Sequence, residues 1–578
     1  MQSAIKERLQ AYFQHGLQYH VPFFQRSYVW GKDSWENLLE HVEVEVKAVR
    51  EKRNSEHFIG TIITKPLPQE NLSTQQMQLV DGQQRLTTVA LALKALADTA
   101  TNTGKFFNLR TRILGMLTFQ DSAGQVHLRI KHSRVDEEAF DKVMRANSIE
   151  DIPKEGNNIN KAYHFFAGRF SDLDDESRDV FTNVILQRLP VIAMLLNDND
   201  DEQEIFDTIN SLGERLTTSE LLKNHLFREP EMRGLFDEYW RDEFEEEEED
   251  QTFWGTTKSA GRVKRTNLEL LLYSALIIET GEEVSIEKLF ARYKAWLKDK
   301  SLDARKDFLV RLKAHAETYR GFPGDEELAQ LTFHDSDRRL FHVIDFLEIT
   351  TIYPLLLFIY ERVETDGERT AMLGMLECYL VRRLVCKLTT KNYNRLFIQL
   401  INELKGKRKV DSETLTKILL NYDEDTNRVP EDTEFKKAFG DTHLYNAYAR
   451  EVLFLIALKK MNPRLSDRNS LSAAGFSVEH MMPKKWREHW RNGKMTTDEE
   501  WTRDRKLKTL GNLTLVKQPL NSAMRNASWA KKRKALKQHS LLNITTDYLD
   551  MDNWDEDTIE ARAKDLANEA VKVWPMII

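Results

Sequence analysis

Near the C-terminal end of the chain stand the residue types that phosphodiester hydrolysis needs. Phe476-Ser477-Val478-Glu479-His480-Met481-Met482-Pro483 reads as a short strand that delivers a carboxylate and an imidazole side by side and stops at the proline. Further on, Leu510-Gly511-Asn512-Leu513-Thr514-Leu515-Val516 reads as a glycine-led turn into a second strand, after which Leu520-Asn521-Ser522 opens a lysine-rich helix. A water must lose a proton, and a histidine tuned near neutral pH, here His480, can take it. A hard cation must neutralise charge on the scissile phosphate; oxygen donors such as Glu479 and the Asn521 amide select Mg2+ or Mn2+ over softer metals. Asn512 suits the task of holding the imidazole in one tautomer. Singly these residues say little, since a histidine after a strand is more often structural and Asn after Gly is more often a turn. The ordered set is more specific.

A second polar constellation lies near the other end. Val80-Asp81-Gly82-Gln83-Gln84-Arg85-Leu86 places a glycine turn at a strand end and a helix start rich in donors, and Val21-Pro22-Phe23-Phe24-Gln25-Arg26 precedes it. Helix-start N–H groups and Arg85 can share the oxygens of a phosphate. Asp81 can hold a cation or polarise a water; equally, Asp81 can cap the helix while Arg85 pairs with a carboxylate.

Apolar periodicity supplies the elements that must carry these groups. The first ~110 residues mix β-like runs (58–64, 78–80) with helical stretches such as 86–97, the pattern of a small α+β domain. From about 160 onward the apolar spacing is helical. The acidic run Glu243 to Asp250 and the Gly-Thr-Lys-rich stretch 255–265 read as a mobile break between helical blocks, and a second break is read at 461–474. The expected fold class is therefore multidomain α+β and predominantly helical, since 578 residues exceed one core.

The net charge of -8 is unevenly spread: residues 476–540 carry 16 Lys plus Arg against 6 Asp plus Glu, so the rest of the chain is strongly acidic. A basic segment beside hydrolytic residues fits a phosphate-backbone partner. No run is apolar enough to span a membrane, and MQSAIKERLQ leads into no apolar stretch, so no signal peptide and a cytoplasmic location are expected. Cys378 and Cys386, on one predicted helix, build neither a disulfide framework nor a thiolate site and are expected in the core.

Glu-His-x-x-Pro, then Gly-Asn-Leu-Thr-Leu, then a further Asn resembles the ββα-metal (His-Asn-His, HNH) nuclease motif. The resemblance implies Glu479 and Asn521 as metal ligands, with Asn526 able to replace Asn521. It further implies His480 as general base, Asn512 as the residue orienting it, and Lys484, Lys485, Lys531, Lys532, Arg533 and Lys534 along DNA phosphates. The N-terminal clusters, with a third at Ile205 to Leu216 continuing through Leu221-Leu222-Lys223-Asn224, resemble the ParB/sulfiredoxin-like Asp-Gly-Gln-Gln-Arg domain of GmrSD-type modification-dependent (type IV) restriction endonucleases. That resemblance implies a site for a nucleoside triphosphate (GTP, ATP or another) at Asp81, Gly82, Gln83, Gln84 and Arg85, with Gln25 and Arg26 close by and Asn210 and Lys223 completing the pocket. The implied layout is an N-terminal nucleotide-binding and modification-sensing domain at 1–235, a helical linking region at 236–465 and an HNH nuclease domain at 466–578. The implied activity is NTP-regulated cleavage or nicking of modified double-stranded phage DNA, such as DNA with glucosylated or hydroxymethylated cytosine, with a homodimer left open. A phosphorothioate-sensing nickase has the same architecture. A reading of another class is a ParB-like, NTP-switched DNA-binding regulator with a degenerate nuclease fold.

Overall fold

The computed structural model describes the chain apart from residues 1–3, 15, 23–24, 26, 68–74, 122–123, 133, 198–216, 228, 261–262, 462–469, 492, 541 and 578. It divides into two compact units, Met1–Glu229 and Pro230–Ile578.

The first unit is mixed α/β. The strands of its six-stranded sheet are β1 (Ala4–Arg8), β2 (Leu17–His20), β3 (Thr61–Pro66), β4 (Gln75–Asp81), β5 (Ile130–Lys131) and β6 (Pro190–Leu195), in the order β1-β6-β3-β4-β2-β5. The pairs β4–β2, β2–β5 and β3–β6 are parallel, and β3–β4 and β1–β6 are antiparallel. The sheet thus draws strands from beyond the first ~110 residues, and β6 lies in the stretch from about 160 onward whose apolar spacing reads as helical. Parallel pairing needs long crossovers; β5 has only two residues, and β6 follows directly on a helix with no polar alternation of its own.

Five helices of this unit matter below: α1 (Lys32–Arg50), α2 (Gln83–Asp98), α3 (Arg134–Arg145), α4 (Asn158–Phe170) and α5 (Asp175–Arg188). α2 is buried along nearly its whole length, as a run of Leu, Ala and Val on every side requires, and it packs along α4 at the centre of the core. A last helix, α6 (Thr218–Leu226), opens with a Thr217/Glu220 capping box.

The second unit is mostly helical. The stretch read as a mobile break is ordered instead: Glu248–Gly255 is helix, and Thr257–Ala260 (β7) pairs with Val263–Thr266 (β8) as a hairpin. Trp240, Phe244 and Trp254 are buried there and meet edge to face, so apolar anchors hold down an otherwise charged segment. α7 (Asn267–Thr280), apolar over most of its length, and α8 (Asp366–Val385) from Met372 onward are largely buried; Cys378 is buried on α8 and Cys386 caps its end.

The unit continues without a split through α9 (Asn446–Lys460), which packs on the hairpin of β9 (Phe476–His480) and β10 (Leu513–Lys517). The expected break at 461–474 falls partly outside the described residues. After β10 come two helices rather than one lysine-rich helix, α10 (Gln518–Met524) and α11 (Trp529–His539), parted at Arg525 with φ +35°. α12 (Glu556–Val573) closes the chain. Among the described residues no helix is long and apolar enough to cross a membrane.

Candidate functional sites

In the first unit the directions of the strands gather the polar motif. β2, β4 and β5 run parallel, so the segments that follow them meet at one end of the sheet, the end where open α/β sheets bind ligands. Gly82 makes the turn from β4 into α2 with φ +94°, and a Cβ there would come within 2.8 Å of Ile62 Cγ1, so only glycine fits. β4 carries a bulge at Val80, because Ile63 pairs with Asp81 and Thr64 with Leu79. Gln25 covers that irregularity: its Nε2 donates to the Leu79 oxygen at 2.8 Å and the Val80 oxygen at 3.1 Å. Its Oε1 is buried without a hydrogen bond, an acceptor still to be satisfied.

Gln84 is a tie rather than an open contact. Its Oε1 accepts from the main-chain N–H groups of Val29 (3.0 Å) and Trp30 (3.3 Å), and its Nε2 donates to the Ser27 oxygen at 3.2 Å. Arg85 donates to the Thr61 oxygen at 2.7 Å and lies 3.8 Å from Asp81. The pairing of Arg85 with a carboxylate and its service to a phosphate are thus both within reach of one side chain. Gln83 and Lys223 are buried and engaged within the fold. Arg26 and Asn210 lie outside the described residues. An anion suits what is left: a helix start and Arg85.

Behind this turn is a buried cluster that carries no motif. Thr87 Oγ1 meets His132 Nε2 at 2.9 Å; His132 Nδ1 lies 3.9 Å from Asp136, which accepts from the Tyr28 N–H at 2.7 Å. Burial holds the His132 imidazole down at about 3 and pushes the Asp136 carboxyl up to about 6.

In the second unit β9 and β10 pair antiparallel, with Glu479 opposite Thr514 and His480 opposite Leu513. Burial lowers the His480 imidazole to about 4, and the Lys484 and Lys532 charges add to this, so the ring is neutral at pH 7 but a weaker base than the near-neutral tuning expected from the sequence. Asn512 is fully buried and does not bond that ring. Its Oδ1 accepts from Met482 N–H (2.8 Å) and Trp554 Nε1 (3.0 Å), and its Nδ2 donates to the Met482 and Leu507 oxygens at 2.9 and 3.0 Å. Its main-chain oxygen accepts from Met481 N–H at 2.9 Å. Asn512 therefore fixes the chain that follows His480 and acts on the imidazole only through the backbone.

Glu479 meets a lysine. Its carboxylate takes a hydrogen bond from Lys532 Nζ, which also donates to the His480 oxygen at 2.7 Å. Burial pushes the carboxyl up and the ammonium down, and each charge opposes the shift of the other. Lys532, expected along DNA, is fully buried: α11 turns that face into the core beside Leu536, while Lys531 and Lys534 stay exposed, as do Lys484 and Lys485. Arg533 is held by the Met551 oxygen and Asp552.

Asn521, on α10, donates to Ser477 Oγ at 2.9 Å and the Val478 oxygen at 3.1 Å. Asn526, between α10 and α11, donates to Glu488 at 3.4 Å. None of these three bonds uses an amide oxygen. Among the described residues no three His, Cys, Asp or Glu side chains converge as a metal cage. Mg2+ rarely needs one, because it keeps waters and takes one or two protein oxygens with substrate phosphate. The amide oxygens of Asn521 and Asn526 are of the type such weak chelation uses, and the Glu479 carboxylate already meets an ammonium.

Sequence reasoning passed over the residue that holds this arrangement in place. Arg562 on α12 is fully buried and grips the oxygens of Leu510, Gly511 and Leu513 at 2.8–3.1 Å, and that of Ile544. Gly511 admits no side chain, since a Cβ would overlap the Ile559 oxygen. A lone arginine on an amphipathic helix gives no signal of such a role.

An α/β unit with a polar turn at its strand ends, followed by a helical unit with a neutral histidine in a basic hairpin, has the equipment of a phosphodiester-cutting enzyme. Family comparison makes the class specific: residues 7–227 match the GmrSD restriction endonuclease N-terminal domain and residues 429–569 the GmrSD restriction endonucleases C-terminal domain. The chain belongs to the GmrSD restriction endonuclease family, whose members are DNA endonucleases. The second match includes α9, the helix that backs the β9–β10 hairpin. No curated protein matches the chain.

Proposed function

We propose that this restriction endonuclease cuts or nicks DNA carrying modified bases, such as glucosylated or hydroxymethylated cytosine, at His480. In this reading Mg2+ or Mn2+ is the cofactor, and a nucleoside triphosphate at the Asp81–Arg85 turn licenses cutting. One observation carries the cutting half: His480 ends a strand whose outgoing chain is pinned by Asn512 and Lys532. A neutral imidazole can take a proton from water. A divalent ion held by Asn521 and Asn526 would neutralise charge on the phosphate, and Lys484, Lys485, Lys531 and Lys534 are exposed to meet neighbouring phosphates. The licensing half rests on the Gly82 turn and Arg85. The sequence has no Gly-x-x-x-x-Gly-Lys-Ser/Thr loop, so NTP hydrolysis here is not of the P-loop kind.

The test is digestion of unmodified and cytosine-modified DNA with Mg2+ or Mn2+, with and without GTP or ATP, and with EDTA as control. Cutting of the modified DNA alone, lost in EDTA, is expected. His480→Ala should lower cutting by about 10^2- to 10^4-fold, the usual worth of a general base, and leave NTP turnover intact; wild-type cutting by that variant would remove His480 from the mechanism. Cutting confined to phosphorothioate DNA would move the recognised mark to the backbone. No cutting of any DNA would favour the NTP-switched regulator.

A further inference from the structure

The carboxylate in front of the proposed general base already has a cation, and that cation belongs to the protein. Lys532 is fully buried and the Glu479 side chain is 8% exposed, so the pair is shut away from solvent that could exchange one partner for another. The same ammonium donates to the His480 oxygen, joining α11 to the last residue of β9. Trp529 and Leu536, on the same helix, are buried in the aromatic and aliphatic core that also contains Met481 and Met482, so Lys532 cannot swing out without unpacking α11. Two positive charges cannot share one carboxylate in such a place at low cost, because isolated charge is expensive to bury.

We propose that Lys532 is the permanent counter-ion of Glu479 and a positioning residue for His480, so that Glu479 is not a ligand of the divalent ion. The inference rests on the nuclease reading only for its consequence in cutting; the pair itself is a property of the folded chain. It also predicts a gain: freeing the carboxylate should create a metal ligand that the natural protein lacks.

The full-length protein and the variants Glu479→Gln, Lys532→Met and the double variant are compared by thermal melting, by Mn2+ binding followed by electron paramagnetic resonance, and by steady-state DNA cutting. Each single change should lower Tm, and the double, which removes both charges, should recover most of that loss. Wild type should bind Mn2+ no more tightly than Glu479→Gln, and Lys532→Met should bind it at least tenfold more tightly than wild type. In the double variant kcat should fall tenfold or more with KM unchanged, because stability returns but the His480 oxygen has lost its donor. Tm losses that simply add in the double variant overturn the pair. A tenfold loss of Mn2+ affinity in Glu479→Gln overturns the exclusion of Glu479 from the metal. Unchanged kcat in the double variant overturns the positioning role. If Lys532→Met does not fold, Glu479→Gln alone, which keeps the shape of the side chain, decides the metal question. Wild type that cuts no DNA would sink the nuclease reading, while melting and Mn2+ binding would still judge the pair.

Discussion

The turn at Asp81–Arg85 and the strand end at Glu479–His480 are both short polar motifs at the mouth of a strand, yet they use their polar groups differently. In the first, neutral amides tie distant segments down: Gln84 holds Ser27 to Trp30 and Gln25 covers the bulge in β4. The charged groups, Arg85 and Asp81, stand at the rim and remain partly exposed. In the second, charge itself is built into the frame, as Glu479 with Lys532 and as Arg562 among carbonyls. A neutral frame keeps Arg85 at the rim, where an anionic ligand can meet it at little cost to the fold. A charged frame makes fold and site inseparable, since removing one member strands another in the core. The C-terminal site should therefore fail as a unit, and the N-terminal site piece by piece.

That contrast is broken most directly at Arg562. Arg562→Met leaves several buried carbonyl oxygens without a donor, at a cost of about 1–3 kcal/mol for each buried unsatisfied group. The second unit should lose roughly 4 kcal/mol or more in denaturant melts and lose cutting with it. Arg562→Met protein as stable as wild type would show that water replaces the guanidinium and that the frame is not charged by need. Next in size comes Asn512→Ala, which removes the four side-chain bonds to Met482, Leu507 and Trp554. A loss of about 2–4 kcal/mol and a drop in kcat are expected together. A variant that keeps full stability but loses kcat would mean that Asn512 acts on the imidazole directly.

The N-terminal turn should separate what the C-terminal site joins. Gln84→Ala should cost about 1–2 kcal/mol through the loosened 27–30 segment. Arg85→Ala, at a partly exposed ion pair 3.8 Å long, should cost less than about 1 kcal/mol but abolish NTP turnover. Chemical denaturation and a phosphate-release assay on the two variants check this. Equal stability losses would erase the distinction between tie and rim.

Some of this was legible in residue order, and some was not. The strands 476–480 and 513–517 and the helix after Gly82 follow from local signals: a proline stop, a glycine turn and unbroken apolar runs. β5 and β6 do not, because their identity as strands comes from pairing across more than a hundred residues rather than from their own few side chains. Lys532 read as one of four basic neighbours, but a helix turns each residue by about 100°, and the burial of Trp529 and Leu536 decides which lysine faces inward. Glu479, Gln84 and Asn512 were legible as residues that matter but not as to how. Spacing reveals which groups stand near a strand end; the partner that uses up a group comes from elsewhere in the chain.

The last expected effect concerns the buried cluster behind the N-terminal turn, where two groups pull stability in opposite directions. Asp136 titrates at about 6 when folded against 3.8 in its ordinary state, so the folded protein binds the proton more readily, and this contribution is complete below 3.8 and gone above about 6. His132 titrates at about 3 against 6.5, so its contribution is complete above 6.5 and lost as pH falls toward 3. Between about 4 and 6 the two slopes oppose, and this part of the unit should be nearly indifferent to pH. Asp136→Asn keeps an oxygen for the Tyr28 N–H but removes one of the two slopes. The first unit of the variant should then become steadily less stable from pH 6.5 down to pH 4, by several degrees in Tm at about 2–4 °C per kcal/mol. His132→Gln should do the reverse and gain stability on acidification relative to wild type. Melting curves at pH 4.5, 5.5 and 7 distinguish the three proteins. If Asp136→Asn melts in parallel with wild type across that range, the two groups do not balance, and the neutral frame of the N-terminal site does not extend to the cluster beneath it.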